Sequence, residues 1–442
     1  MNYAEQPIKV PFADLLEFPN GIQLLRSWQN GETDRLDELR AVYSAAINGE
    51  YDSIFSEPSP EGEIHVGGSH DMLPLSLAYD LFGIEAESFY TGDPERYVRF
   101  YLMTRRLLGL NKVYLSWPCY ALTAQAIGQD TMYTDKFPPG SNPDNMLLNR
   151  DNWKGVKPVD LENGLIPRCA EEMMRTYERL TGLEPILHLS APYSLAADTY
   201  GQEPLLAALV HEPEMVVELL HHLVDVVYRP WLNDIIKKFP NAWLEFADAS
   251  GSPFFIGPKN CRDISSEAIR YLSEGEPWGD RVYVANYRGD YVTKAKPRNR
   301  RNARGRDSGA TNTTTVSIEE LSEAKFAANP VYIQRLYDDF VAVDFYRDLA
   351  IEKNVPLYAG IGSRQIDRNG ISDMDEKKAE LRDATLENVE AIKDVTRAIR
   401  DNGYTERKPP WPGTLYFEDI SAESSFELIE LMIGTALKES QY

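Results

Sequence analysis

The sequence predicts an α/β protein folded as a single (β/α)8 TIM-type barrel with an N-terminal helical extension. From residue 61 onward, short apolar runs alternate with longer amphipathic runs at least six times, which is typical of parallel strands joined by helices. The chain lacks both the glycine-rich fingerprint of dinucleotide-binding folds and a G-x-x-x-x-G-K-S/T phosphate loop. Its 442 residues, 43% of them hydrophobic, suit one barrel with insertions.

Each predicted element follows from its local pattern. Residues 1–60 form the helical extension, because they are polar and helical in pattern, and a helix over 33–49 stops at Gly49. The predicted strands are short apolar runs: 63–68, 112–118, 185–192, 242–250, 281–287 and 355–362. The predicted helices are amphipathic: 94–110, 165–182, 212–239, 261–275, 329–354, 376–403 and 426–440. The barrel unit therefore covers residues 61–442, and its chemistry is expected at the carboxyl ends of the strands.

Composition excludes several classes of partner. A net charge of -23 disfavours nucleic acid, since phosphate binding requires a basic face, and it also disfavours anionic membrane surfaces. Cys119, Cys169 and Cys261 are far apart and form no disulfide or zinc-ribbon pattern, which suits a reducing compartment. No signal peptide and no apolar run of about 20 residues is evident. The sequence therefore predicts a soluble cytoplasmic protein with no nucleic acid or membrane partner.

Four segments of the sequence resemble the uroporphyrinogen decarboxylase superfamily. Residues 188–201, HLSAPYSLAADTYG, are similar to its GAPFTLA segment, and the helix that opens at 211–225 follows at the expected distance. Residues 244–264 resemble a strand that carries an aspartate and a serine, and 355–371 resemble a late glycine-rich strand and loop. The order and spacing of these motifs extend the resemblance over roughly residues 64–435.

The resemblance implies a barrel with one of two chemistries, which are cofactor-free decarboxylation and corrinoid-dependent methyl transfer at zinc. It also implies a homodimer. The arginine-bearing N-terminal motif of the decarboxylases has no counterpart here. Where the methyltransferases place a His-x-Cys zinc motif, this chain has Asn286-Tyr287-Arg288, and asparagine and arginine are poor zinc ligands. We therefore expect no metal and no cofactor at the standard position.

Asp248 and Ser250 follow the apolar run 242–246 at the end of the predicted strand 242–250 and are expected at the mouth of the barrel. A carboxylate there suits general acid–base catalysis, and Ser250 suits substrate binding. The alternative is a helix N-cap or turn, where aspartate and serine are common.

Asn286, Tyr287 and Arg288 end the next predicted strand. Arg288 suits a bidentate clamp on a carboxylate, Asn286 a substrate contact, and Tyr287 proton donation. The alternative for Arg288 is a surface ion pair with Asp290, which contributes little. The basic run 294–306 follows and is interpreted as a solvated loop or as an anion clamp.

His65 and His70 follow the first predicted barrel strand and are candidate general bases, with a metal or a structural role as alternatives. Tyr193 and Trp117 are candidate substrate contacts, for which core packing is the alternative.

The leading hypothesis is a zinc-independent decarboxylase or lyase that acts on a small anionic, carboxylate-bearing substrate. Two alternatives remain open: a corrinoid-dependent methyltransferase with non-standard metal ligands and a corrinoid protein as partner, and an inactive barrel that serves as a binding protein.

Overall fold

A computed structural model describes residues 14–15, 17–56, 64–70, 72–117, 119–286, 317–328, 330–336, 341–404 and 413–439. Tyr287, Arg288 and the basic run 294–306 lie outside these residues, and the side chain of Asn286 is also outside the description.

The described strands fall into two parallel sheets and one hairpin. In chain order they are β1 His65–Gly68, β2 Thr131–Thr134, β3 Phe137–Ser141, β4 Ile186–Ser190, β5 Trp243–Ala247, β6 Val282–Asn286, β7 Ile333–Leu336, β8 Leu357–Ile361 and β9 Thr414–Phe417. One sheet has the order β1-β9-β8-β7 and the other β4-β5-β6, and every pair within them is parallel. The strands β2 and β3 form an antiparallel hairpin.

Helices separate most of the parallel strands, as the sequence pattern predicts. The α-helices are Asn20–Gln29, Thr33–Ile47, Met72–Phe82, Pro94–Leu108, Cys119–Ala126, Leu165–Thr181, Pro192–Tyr200, Gln202–His211, Pro213–Leu223, Arg229–Lys238, Pro253–Asn260, Ser266–Ser273, Ile318–Lys325, Val343–Lys353, Ser363–Ile366, Met374–Asp401 and Phe426–Glu439. The protein thus has a mixed α/β fold with parallel sheets, consistent with a barrel-like arrangement. Among the described helices, none combines the length and the apolar character needed to cross a membrane.

Two predicted elements differ from the structure. Residues 329–354 were predicted as one helix, but they contain the strand β7 followed by the helix Val343–Lys353. The side chains of β7 alternate in a period of two, since Gln334 pairs with Tyr358 on the inner face of β8. Residues 112–118 were predicted as a strand, but they form no hydrogen-bonded ladder in the described chain. There Lys112 donates its backbone N–H to the Val66 carbonyl at 3.0 Å and then continues without regular pairing.

The register of the three-stranded sheet determines which side chains share a face. His188 on β4 is paired with Glu245 on β5, and Glu245 is paired with Tyr283 on β6. Because successive side chains of a strand point to opposite faces, Leu244 and Phe246 lie on the other face, where Phe246 contacts Tyr228 edge to face at 5.7 Å. Apolar side chains therefore pack against the helices, and polar ones point toward the second sheet.

The two N-terminal helices pack against the helix Pro94–Leu108. Tyr43 stacks on Phe100 with ring centroids 4.1 Å apart, and its hydroxyl hydrogen-bonds Thr104 at 2.8 Å. Gly21 lies so close that a Cβ atom there would stand 2.6 Å from the Leu107 carbonyl oxygen. In this region the helices run from Asn20 to Gln29 and from Thr33 to Ile47.

Candidate active site

A cluster of ionisable side chains lies between the two parallel sheets. We call it the central cluster; its members are Lys112, Tyr114, His188, Glu245, Tyr283, Tyr332 and Tyr358. Tyr283 of one sheet contacts Tyr332, which directly precedes β7 of the other, at a centroid distance of 6.3 Å. The cluster therefore connects the facing surfaces of both sheets.

Glu245 is the anionic centre of this cluster. Only 5% of the residue is exposed. One carboxylate oxygen lies 2.7 Å from His188 Nδ1 and accepts a hydrogen bond from the Tyr114 hydroxyl at 2.7 Å, and the other accepts from the Tyr283 hydroxyl. Burial alone raises the pKa of Glu245, but the charge of His188 and these hydrogen bonds outweigh burial and hold the pKa below its usual range. The carboxylate is thus held ionised.

Lys112 is the cationic member of the cluster and is held by aromatic rings. Its Nζ donates to the Tyr358 hydroxyl at 2.6 Å and lies 4.1 Å from the Tyr358 ring centroid and 5.5 Å from that of Tyr114. A Cβ atom at Gly67 would stand 3.0 Å from the Lys112 side chain, so the glycine leaves room for it beside β1. Within the described chain, no carboxylate oxygen lies within 4.0 Å of the Lys112 ammonium group.

The surroundings of Lys112 favour its neutral amine. Burial lowers the pKa of Lys112 from 10.5 to about 7, although the negative charge of Glu245 acts in the opposite direction. Tyr332 stacks on Tyr358 at 4.0 Å and closes the aromatic side of the cluster. Burial also raises the pKa of the Tyr358 hydroxyl well above its ordinary value, so that this hydroxyl stays protonated. At neutral pH the cluster can present a free amine beside a neutral phenol.

Among the predicted site residues, the candidate histidines are half-buried His65 and buried His70, and both are weak bases. Burial, with a smaller contribution from the charge of Lys112, lowers the pKa of His65 to about 4. Burial also lowers the pKa of His70 to about 4, and both ring nitrogens of His70 lie near carbonyl oxygens: that of Gly68 at 3.2 Å and that of Tyr101 at 3.4 Å. His65 is therefore brought beside the central cluster, whereas His70 packs against Tyr101.

Asp248 follows β5 but lies in a closed pocket of its own. Its carboxylate accepts hydrogen bonds from the Ser194 hydroxyl at 2.8 Å, from the Gly251 backbone N–H at 3.1 Å and from the Ser265 hydroxyl. The residue is fully buried, and burial raises its pKa despite these donors. Through these contacts the Asp248 carboxylate holds together the turn that follows β5. Asp248 therefore fits the turn alternative better than the role of an acid that faces the substrate.

The close packing around the Asp248 carboxylate leads to a prediction about stability. A Cβ atom at Gly251 would lie 2.2 Å from Asp248 Oδ2 and 2.5 Å from Ser265 Oγ. Gly251→Ala must displace one of these buried groups and is expected to lower the free energy of unfolding by about 1–3 kcal/mol. Urea denaturation measures this, with Gly155→Ala as the control, because nothing lies within 4 Å of a Cβ atom there. Equal stability of the two variants would contradict the packing described.

Tyr193, Ser250 and Trp117 lie outside the central cluster, and Ser250 is only half-buried. Tyr193 is fully buried, and Ser250 donates its backbone N–H to the Ser194 hydroxyl at 3.2 Å. Trp117 lines a small apolar cavity together with Leu115, Met173, Met174, Tyr177 and His188. His188 lines this cavity and is also a member of the central cluster, so the cavity adjoins the cluster.

Sequence reasoning missed Lys112, Glu245 and Tyr358, although the sequence carried a signal for the first two. Glu245 interrupts the apolar run WLEF, and a charge inside a buried strand requires a partner. Lys112 and Tyr114 alternate with Val113 and Leu115 at a period of two, which assigns the polar pair to one face.

The described residues do not provide a group of side chains suited to hold a zinc ion. Among the residues described, no three His, Cys, Asp or Glu side chains lie close enough together to hold a metal ion. The strand β6 ends at Asn286, and the following residues 287–316 contain neither histidine nor cysteine.

Comparisons with known proteins show the fold. No protein-family model matches the sequence, and no curated protein matches it. The chain is similar in structure to a methyltransferase from Methanosarcina mazei, with a TM-score of 0.59 and 12% sequence identity. The similarity covers 90% of this chain and 98% of the other. The chain therefore shares its fold with that protein over nearly the whole of both chains.

Proposed function

We propose that the protein is a carboxy-lyase that binds a small carboxylate-bearing substrate at the central cluster. The proposal takes the two sheets as walls of one (β/α)8 barrel and the N-terminal helices as its extension. The observation that carries it is the Lys112–Tyr358 pair, which faces the Glu245–His188 pair inside an apolar, tyrosine-lined space.

Decarboxylation requires only a few chemical groups at such a site. The bond between carbon and carboxylate breaks, its electron pair stays on carbon, carbon dioxide leaves, and a proton completes the C–H bond. An apolar environment favours loss of the carboxylate charge. The Tyr358 hydroxyl supplies the proton, and the ammonium form of Lys112, at 2.6 Å from it, returns a proton to the tyrosinate.

Glu245 and Arg288 have separate parts in this proposal. Glu245 keeps a fixed negative charge near Lys112, which stabilises positive charge that develops there. Arg288 and the basic run 294–306 follow β6 in the chain and serve as the anion clamp for the substrate carboxylate. The cytoplasmic location and the homodimer remain predictions of the sequence.

Carbon dioxide release is the direct test. Purified protein is incubated with a panel of small mono- and dicarboxylates, including oxo acids, and carbon dioxide is measured. Lys112→Met is expected to lower the rate at least about 10²-fold, because it removes the group that restores the proton donor. The matched control is Lys393→Met, which removes a buried lysine on the helix Met374–Asp401, paired with Glu390 at 3.2 Å.

Two results would contradict the proposal. One is an absence of carbon dioxide release with every acid of the panel. The other is a rate that Lys112→Met and Lys393→Met leave equally unchanged.

Methyl transfer is the second candidate, and the structural likeness to a methyltransferase favours it. It predicts transfer of an isotopically labelled methyl group from a donor to a thiol, with a corrinoid protein retained on the immobilised chain. Labelled thiol without any carbon dioxide release would replace the first proposal with this one.

A further inference from the structure

We propose that Lys112 is a nucleophile that forms an imine with the ketone of a 3-oxo acid, which names the substrate class of the site. The inference deepens the proposed function and rests on it. The imine also provides an acceptor for the electron pair of the bond between carbon and carboxylate, which breaks during decarboxylation.

The geometry around Nζ suits a nucleophilic amine. An inward-pointing lysine usually pairs with a carboxylate, but the described residues place no carboxylate oxygen within 4.0 Å of this one. Glu245, the acid whose charge acts on Lys112, is already engaged by His188, Tyr114 and Tyr283. Lys112 is instead held between aromatic faces by one hydrogen bond, to the Tyr358 hydroxyl at 2.6 Å. Lys112 is half-buried as a residue, and burial is the largest influence on the pKa of its ammonium group.

The titratable groups facing Lys112 come from each neighbouring strand. They are His65 on β1, Tyr416 on β9, Tyr358 on β8, Glu245 on β5 and Tyr114 on its own segment. His65 and the three tyrosines are neutral at neutral pH, and Glu245 is the member of this set that carries charge. A free amine in such an apolar setting is the form that attacks carbonyl carbon.

The reaction balances without any further reactant. The amine adds to the ketone and takes up one proton from solvent, one water leaves, and a protonated imine forms. The bond to the carboxylate then breaks, carbon dioxide leaves, and the electron pair moves to the imine nitrogen to give a neutral enamine. The Tyr358 hydroxyl protonates the enamine carbon. Water then releases the ketone product and the lysine ammonium, which returns its proton to the Tyr358 tyrosinate and becomes a neutral amine again. Glu245 stabilises the positive imine through its fixed negative charge.

The test uses pentane-2,4-dione, a 1,3-diketone that forms a stable enaminone with a neutral amine. Full-length protein is treated across pH 5–9, and the modified lysine is identified by peptide mass mapping. We expect preferential modification of Lys112 with a half-maximal rate near pH 7, following its pKa of about 7. Lys112→Met should lose this modification and Lys393→Met should keep it. In parallel, acetoacetate followed by borohydride should leave a reduced adduct on the same residue.

The outcomes separate this inference from the proposed function. An adduct on Lys112 without carbon dioxide release supports the imine and overturns the carboxy-lyase. Carbon dioxide release that survives borohydride treatment, with no adduct on Lys112, overturns the imine and leaves the carboxy-lyase standing. Modification of surface lysines alone, with Lys112 untouched throughout the pH range, also overturns the imine.

Discussion

Glu245→Ala is expected to lower the free energy of unfolding at pH 7 by about 3–5 kcal/mol, the range for removing one partner of a buried ion pair. The substitution leaves His188 and the hydroxyls of Tyr114 and Tyr283 buried without the oxygen atoms that they now contact. Each of these groups then loses a hydrogen bond that water cannot easily replace. Urea denaturation followed by circular dichroism measures the difference.

The effect of Glu245→Ala should depend on pH with a defined sign. The pKa of Glu245 lies below its usual range in the folded protein, so the unfolded chain binds more protons near pH 4.5. The stabilisation from this carboxylate is therefore fully present above that pH and is lost as the pH falls through the folded pKa. We expect the difference between variant and wild type to be largest at pH 7 and to shrink at pH 4.

The chain offers a matched control for this prediction. Glu267 lies 2.9 Å from His221, so the contact has similar geometry, but about a third of each side chain is exposed. Because exposed ion pairs contribute little, Glu267→Ala should cost about 0–1 kcal/mol. If the two variants lost stability equally, Glu245 would not be the buried centre of the cluster.

Most strand positions could be predicted from the sequence because burial on both faces makes short apolar runs. The runs that contain β4, β5 and β8 are bounded by polar or turn residues, and their positions are confirmed. The strand β7 could not be found in this way. Tyr332, Gln334 and Arg335 interrupt the run of apolar residues there, and the run lies within a longer amphipathic stretch. Its identity depends on pairing with β8, which is a tertiary property.

The candidate site was harder to predict than the fold. Lys112 and Glu245 are 133 positions apart, and nothing local to either specifies the other. Alternation in the chain shows that Lys112 and Tyr114 share a face, but only the packed sheets show that this face meets Glu245. Asp248 had a stronger sequence signal, since it follows a strand, yet that signal is equally typical of a turn.

A second large effect is expected in the opposite direction at Lys112. Lys112→Met should raise the free energy of unfolding at pH 7 by on the order of 2–4 kcal/mol, although it abolishes the proposed activity. In the unfolded chain the lysine keeps its proton up to about pH 10.5, whereas the folded protein holds it only up to about pH 7. At or below pH 7 the wild-type fold must therefore contain a poorly solvated charge, and methionine removes this cost while filling a similar volume.

The sign of the pH dependence identifies this cause of the stabilisation. Between pH 7 and pH 10.5 the unfolded chain binds more protons at Lys112 than the folded protein, so wild-type stability gains from rising pH in this window. The advantage of Lys112→Met should accordingly shrink between pH 7 and pH 10, as measured by thermal or urea unfolding. Lys393→Met removes an ion pair with Glu390 and should give no stabilisation at either pH.

A destabilised Lys112→Met at pH 7 would mean that the lysine supports the fold. A stabilised but inactive variant would mean that the chain keeps this amine at a cost in stability, which is the expected signature of a functional group.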